Sequence, residues 1–273
     1  MELRRLREQA QISQLDAAEA IDASDTKISR LEAGKTGLNR LELVALLDLY
    51  GVTEDRFRTG LLALNRTSRQ RGWWQRRSDI LVPKLQELIE LESTASRIFE
   101  YEAIVVPGLF QTEDYARAVI CGFPPPHSQP VETAVEIRME RQQLLRHEDA
   151  PRIICVLDEA VLRRQVGGPQ VMAGQLRKLA ALNDPPRLSI QVIPSTMGAH
   201  AGTDGSFRLF TYPAPANMDI GFLEQKESRI FIEEEAGLEP YRIAAEHLRT
   251  QALSSPDSMK LIAGLTADYE RRS

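Results

Sequence analysis

The stretch that most constrains the fold is Ser13–Gly34, SQLDAAEAIDASDTKISRLEAG, which sets two short helix patterns either side of a three-residue joint. Ser13 opens the first pattern, with Leu15, Ala18 and Ile21 expected inward. Asp22-Ala23-Ser24 interrupts the period, and Ser24 opens the second, with Ile28 and Leu31 on its inner side. A serine at a helix start accepts a hydrogen bond from backbone N–H groups that the first turn leaves unpaired. Helices joined by so short a turn must cross steeply, which is the helix-turn-helix arrangement. The second helix is then free to offer its polar side to a DNA major groove.

A chain of 273 residues is too long for that module alone, so a second domain is expected. We divide the chain into a helix-turn-helix domain over 1–64, a basic linker over 65–80 and a larger domain over 81–273. Hydrophobic residues at 42% and charged residues at 27% argue for folded protein throughout. No apolar run approaches the roughly 18 residues of a membrane span, and the opening MELRRLREQA is too charged for a signal peptide. Cys121 and Cys155 both lie on apolar stretches and are expected to be inert, buried thiols. These features together place the chain in the cytoplasm.

Around the two central helices the period predicts three more. Leu3–Ala10 turns Leu3 and Leu6 inward, and Leu38–Tyr50 is apolar at Leu41, Val44, Leu47 and Leu49. Thr53–Asn65 carries acidic residues in its first turn, as the helix dipole favours. Gly34 and Gly51 are placed to end the helices before them.

LRRLRE, ISQ, ASDTKISRLEAGKT and LELVALLDLYGV, spread over most of residues 3–52, resemble the phage-repressor helix-turn-helix, the xenobiotic-response-element or Cro/C1 type. The resemblance implies that Arg7 pairs with Glu32 and that Gln14 anchors a phosphate. It makes Asp25, Thr26, Ser29 and Arg30 base-facing, gives Lys27 a phosphate, and sets the cap Ser24 beside them in the DNA-binding group. Two departures stand out. Asp22 replaces the usual turn glycine, which is tolerable because aspartate visits the left-handed region more readily than most residues. The chain also begins directly at its first helix, so a DNA-contacting N-terminal arm is expected to be absent or very short.

Charge complicates this reading. The net formal charge is −5, and residues 1–60 hold nine Lys/Arg against eleven Asp/Glu, so the reader itself is slightly acidic. Basic residues return in the linker NRTSRQRGWWQRRSDI, where Arg66, Arg69 and Arg71 are candidates for contact with the DNA backbone. DNA affinity follows local phosphate neutralisation more than the total. The other reading of the linker is a plain tether, with Trp73 and Trp74 packed on the C-terminal domain.

The remaining chain reads as α/β. A helix is expected from Pro83 to about Ile98, a second after the Thr112 cap as far as Cys121, and a proline-rich loop over GFPPPHSQP. ETAVEIRMERQQLLRHE reads as a long helix whose charges form a solvated face. RIICVLD is the first expected strand, followed by two helices and then by RLSIQVI, GSFRLFTY, DIGFLEQ and RIFIEEE. That order predicts one mixed sheet, with the closing helices covering it or building a dimer contact.

Segments ELESTASRIFEYEAIVVPGLFQTEDYARAVI, RMERQQLL, LDEAVLRRQVGGPQVMAGQL, IQVIPSTMGAHAGTDGSF and AEHLRTQALSSPDSMKLIA resemble a C-terminal domain of unassigned function found behind this helix-turn-helix in many actinobacterial regulators. The resemblance implies a small protein partner encoded nearby, and roles in development and antibiotic production that are sometimes described as antitoxin-like.

Signs of catalysis are weak. The glycine-rich GAHAGTDGS places His200 and Asp204 close in sequence, as a base and its orienting acid would be. It lacks the lysine and the spacing of the His-x-Lys-x4-Asp phosphodiesterase pattern, so a loop that shapes a ligand or partner surface is the better reading. His127, His147, His200 and His247 are scattered, which argues against a metal, and no nucleotide or dinucleotide fingerprint appears. Val106, Pro107, Leu109 and Phe110 suit a small-molecule pocket or a core equally. The expectation is therefore a non-enzymatic, cofactor-free regulator that binds a double-stranded DNA operator as a homodimer and answers to a small protein or ligand. The alternative is an antitoxin-like protein that sequesters a small partner and autoregulates its operon.

Overall fold

A computed structural model describes residues 2–32, 37–38, 40–54, 57–58, 60–61, 83–122, 130–147, 149–212, 219–225 and 228–272. The linker with Arg66, Arg69, Arg71, Trp73 and Trp74 lies outside these residues, as do Gly34, His127 and nearly all of the proline-rich loop. The chain divides into two units, Met1–Gln86 with Tyr212–Met218 and Glu87–Thr211 with Asp219–Ser273, and each is described on its own.

The first unit is helical: α1 (Glu2–Gln9), α2 (Gln14–Glu19), α3 (Asp25–Glu32) and α4 (Arg40–Leu49). Of the expected fifth helix over Thr53–Asn65, residues 57, 58, 60 and 61 are helical, whereas Thr53 and Glu54 are described and lie outside any helix. Ser13 Oγ accepts from Asp16 N at 3.1 Å, and the Asp16 carboxylate accepts from Ser13 N at 3.3 Å. This reciprocal capping box fixes where α2 begins. Ser24 Oγ accepts from Lys27 N at 3.3 Å and so caps α3. Between them Asp22 sits at φ +50°, in the left-handed region that the short joint demands.

Ala17, Ala18, Ile28, Leu31, Leu43, Leu46 and Leu47 form the core of this unit, with Leu6 and Tyr50. Two expected core positions are corrected. Leu15 is 61% exposed and Leu41 is 80% exposed. At 3.6 residues per turn, Ala17, Ala18 and Ile21 centre the inner stripe of α2 well away from Leu15. Leu43, Leu46 and Leu47 likewise put Leu41 on the far side of α4.

The second unit is a mixed six-stranded sheet with flanking helices. Its elements are α5 (Pro83–Thr94), β1 (Arg97–Glu102), α6 (Glu113–Cys121), α7 (Val131–Arg141), β2 (Arg152–Asp158), α8 (Glu159–Arg163), α9 (Pro169–Leu182), β3 (Leu188–Ile193), β4 (Phe207–Thr211), β5 (Asp219–Glu224), β6 (Arg229–Ile232), α10 (Glu235–Gln251) and α11 (Ser255–Arg271). The strand order is β3-β2-β1-β4-β5-β6. β1–β2 and β2–β3 run parallel, and the remaining pairs antiparallel.

The expected helix through Ile98 is therefore wrong at its end. Helix α5 stops at Thr94, and RIFEYE is β1, a central strand that precedes RIICVLD. Both faces of β1 are covered, so it lacks the inside-outside alternation that marks a half-exposed strand. Phe99 and Tyr101 point to the face where Phe207, Leu209 and Val156 meet Leu238, Ala245 and Leu248 of α10. Glu100 points to the other face, in register with Arg208 on β4 and Cys155 on β2.

Three further expectations change. Cys155 is buried, but Cys121 is exposed at the end of α6. Helix α7 is not simply a solvated face, because Arg141 is buried and ion-paired to Glu92 of α5. Val106, Leu109 and Phe110 are core residues, each 0–1% exposed.

Candidate nucleic-acid interface

The polar side of α3 is built by its inner side. Ile28 and Leu31 are buried and hold the helix against α2, which leaves Asp25, Thr26, Ser29 and Arg30 exposed together with the cap Ser24. Asp25 Oδ1 accepts from Thr26 N at 2.6 Å and from Thr26 Oγ1 at 3.2 Å, a local brace of the first turn. Arg30 is exposed and makes no hydrogen bond or ion pair with any described residue. Lys27 lies half-buried with Nζ 2.8 Å from Glu42 Oε1 on α4, leaving two ammonium hydrogens for another acceptor.

Behind this surface, Arg7 Nε donates to Glu32 Oε1 at 2.6 Å, Nη2 to Oε2 at 3.2 Å, and Nη1 to the Ile12 carbonyl at 2.9 Å. Gln14 Nε2 also donates to Glu32 Oε2, at 2.9 Å. One amide hydrogen of Gln14 thus serves the fold. Burial by itself would raise the Glu32 carboxyl, but the bonds from Arg7 and Gln14 outweigh it and hold the group below its usual range. Burial beside Glu32 pushes the Tyr50 phenol up to about 12. The α1–α3 joint is in this way clamped by one carboxylate.

In the second unit the structure separates His200 from Asp204. His200 Nε2 lies 3.2 Å from Asp158 Oδ2, while Asp204 is exposed and meets no described partner. Gly202 N donates to His200 Nδ1 at 3.1 Å, so the ring proton sits on Nε2 and is given to Asp158. With both nitrogens engaged, the imidazole has none free to act as a base. A Cβ on Gly202 would come within 2.3 Å of the Tyr101 ring, and Tyr101 lies edge-on to His200 with ring centres 5.9 Å apart. The loop is pinned to the end of β2 rather than organised around Asp204.

Sequence reasoning missed a buried polar system. Gln111, Gln142, Gln175 and Lys178 bind the carbonyls of Val106, Gly108, Phe110 and Gln111, so the loop after β1 has its acceptors met by side chains. Beside it, Arg141 Nε donates to Glu92 at 2.6 Å, and Arg208 is bonded to Glu100 and, at 3.3 Å, to Glu102. Arg229 Nε donates to Glu224 at 2.9 Å. Burial pushes the Glu102 carboxyl up to about 7, against the pull of Arg208. A signal was present in the alternation of Glu100 and Glu102 with Phe99 and Tyr101, directly after the expected helix end at Ile98.

Among the described residues no helix is long and apolar enough to cross a membrane, and no cluster of His, Cys, Asp and Glu could hold a metal ion. Compared with known families, residues 1–59 match a helix-turn-helix domain and residues 85–264 match a domain of unknown function, DUF5753. The second match covers more than half of the chain. No curated protein and no solved structure matches.

Proposed function

The chain belongs to the DUF5753 family, and we propose that it is a sequence-specific transcriptional regulator of the Cro/C1 type, actinobacterial in kind, that binds operator DNA as a homodimer. Its second domain, over 81–273 beyond the linker, receives a small protein partner or a ligand. The observation that carries this reading is the capped α2–Asp22–α3 joint, which leaves Asp25, Thr26, Ser29 and Arg30 on one exposed side. A helix of eight residues reads only a few base pairs, so two copies on a palindrome are needed for useful specificity. Gln14 and Lys27 supply phosphate contacts, and Arg30 reads a guanine through O6 and N7.

Footprinting of the full chain on its own upstream region tests the proposal, with a symmetric protected site expected. Arg30→Ala should weaken binding to that site by ~1–3 kcal/mol and relax one position of the sequence preference, with the fold intact by circular dichroism. An unchanged preference removes Arg30 from the base-reading set. A chain that co-purifies with a small neighbour-encoded protein and gives no footprint is a sequestering protein instead.

A further inference from the structure

The two edges of the six-stranded sheet are finished differently. Strand β3 is closed along its outer side: Ile190 N donates to Asn183 Oδ1 at 2.9 Å, Val192 N to Ser258 Oγ at 3.0 Å, and Leu253 N to the Val192 carbonyl at 2.8 Å. Strand β6 carries no such cover among the described residues. Its phase against β5 is set by the hairpin, where Gln225 N donates to the Ser228 carbonyl at 2.9 Å. Bonded and non-bonded pairs alternate along an antiparallel ladder, so Leu223–Ile230 and Gly221–Ile232 exchange backbone bonds, while Glu224–Arg229 and Phe222–Phe231 do not. The N–H and C=O groups of Arg229 and Phe231 therefore point away from the sheet, and no described residue bonds to them. Such an edge is a template for another strand, and proteins commonly blunt it with a proline, a bulge or a lysine. RIFI has no proline or lysine, pairs with β5 without a skipped residue, and leaves Ile230 43% exposed. Its one charge, Arg229, is engaged by Glu224.

We propose that β6 pairs antiparallel with β6 of a second copy of this chain about a two-fold axis, Phe231 opposite Phe231, so that the two sheets become one. Charge and register select a second copy as the occupant. With the axis at Arg229, like charges face each other; with the axis at Ile230, Glu233 has no basic residue across from it. With the axis at Phe231, whose backbone groups point outward, Arg229 of each copy stands across from Glu233 of the other, an opposite-charge pair. Glu233 is exposed, follows β6 directly, and makes no hydrogen bond or ion pair with any described residue. The backbone is still extended at Glu234, with φ −74° and ψ 130°, so the pairing can run past Ile232. The same register lays the exposed Ile230 against Ile232 of the second copy, on the face where Ile232 packs with Leu238 and Ala245 of α10. The contact is isologous, each charged and apolar pair occurring twice. This rests on the homodimer reading above and supplies that dimer with its interface.

The test is the light-scattering mass of the full chain, without DNA, across a concentration series. Pairing through residues 229–233 makes a small interface, so a dimer that dissociates on dilution is expected. Ile230→Lys, which places a charge on the edge, should raise the dimer dissociation constant about tenfold with the circular dichroism spectrum unchanged. Glu233→Lys, at a side chain that no described contact of the fold uses, should raise it about fivefold by setting like charges across the axis, and it keeps the test open should Ile230→Lys fail to fold. A dimer undiminished in both variants overturns the β6 pairing and leaves the homodimer reading standing on another surface. A wild-type chain that stays monomeric throughout overturns both. Operator binding takes no part in this readout, so a failed footprint leaves the β6 pairing untouched.

Discussion

At the scale of single residues, Glu32 decides whether the reading unit holds together. Three donors from Arg7 and Gln14 converge on a carboxylate whose side chain is 6% exposed. Glu32→Ala leaves the Arg7 guanidinium facing an empty acceptor position, and breaking a buried pair from one side is far costlier than never having built it. We expect a loss of about 3 kcal/mol, read from urea unfolding of the full chain followed by helical circular dichroism. A change below about 1 kcal/mol would make the pair no more than a surface contact. The pH dependence has a definite sign. The Glu32 pKa is depressed in the fold, so its contribution is present above the unfolded carboxylate pKa and disappears as pH falls through the lower folded value. The pairing was implied by the chain's resemblance to a repressor module, whereas the hold of Glu32 on Gln14 was not. A glutamine reads in sequence as a donor, and only the fold shows where that donor is used.

Elements show more clearly what the sequence carried and what it concealed. Caps were legible because they are local: Ser13, Ser24 and Thr112 each accept from the backbone a few residues on. Strand β1 was concealed because its character comes from residues more than fifty positions away, through Arg152–Leu157 on one side and Phe207–Thr211 on the other. A glutamate at position 100 is an uncommon residue for a strand covered on both faces, and in the sheet it is paired with Arg208. The contact between Gly202 and Tyr101 was equally hidden, since a glycine-rich loop reads as mobile or site-like whatever it packs upon. Gly202→Ala should force the His200 loop off the Tyr101 ring and destabilise the chain by about 1–3 kcal/mol; a neutral thermal shift would mean that the ring yields freely. Glu102 gives this strand a pH signature opposite to that of Glu32. Its pKa is raised to about 7 by burial, so the native chain keeps a proton that the unfolded chain releases from its ordinary range near 4.5 upward. Stability must fall as pH rises across that window. Glu102→Gln should remove this slope, so that the midpoint difference between variant and wild type grows from pH 4.5 to 7 and then levels off. A difference independent of pH would show that Glu102 titrates in the fold as it does in water.

For the whole molecule, the tension lies between a DNA-reading module and a chain of net charge −5 and isoelectric point near 5.6. Long-range attraction to DNA is weak in such a protein, and α3 offers only Lys27, shared with Glu42, and Arg30. Specific binding then depends on joining two readers, on recruiting cations from outside the helices, or on both. The first leaves affinity only mildly sensitive to salt, and the second makes it steep. Arg66, Arg69 and Arg71 are the cations in question, and counting their phosphate contacts separates the two routes. Each arginine that meets a phosphate adds ~0.9 to the slope of log affinity against log salt, so replacing all three by alanine in a dimer should flatten the slope by roughly 5. Preference among operator sequences should stay the same, because phosphate contacts position the protein without reading bases. The measurement is operator binding by fluorescence anisotropy across a salt series, for the wild type and the triple variant. Parallel slopes would take the linker off the DNA and leave specificity to the pairing of two α3 helices, in which case an effector acts on the operator only by changing how the two copies are joined.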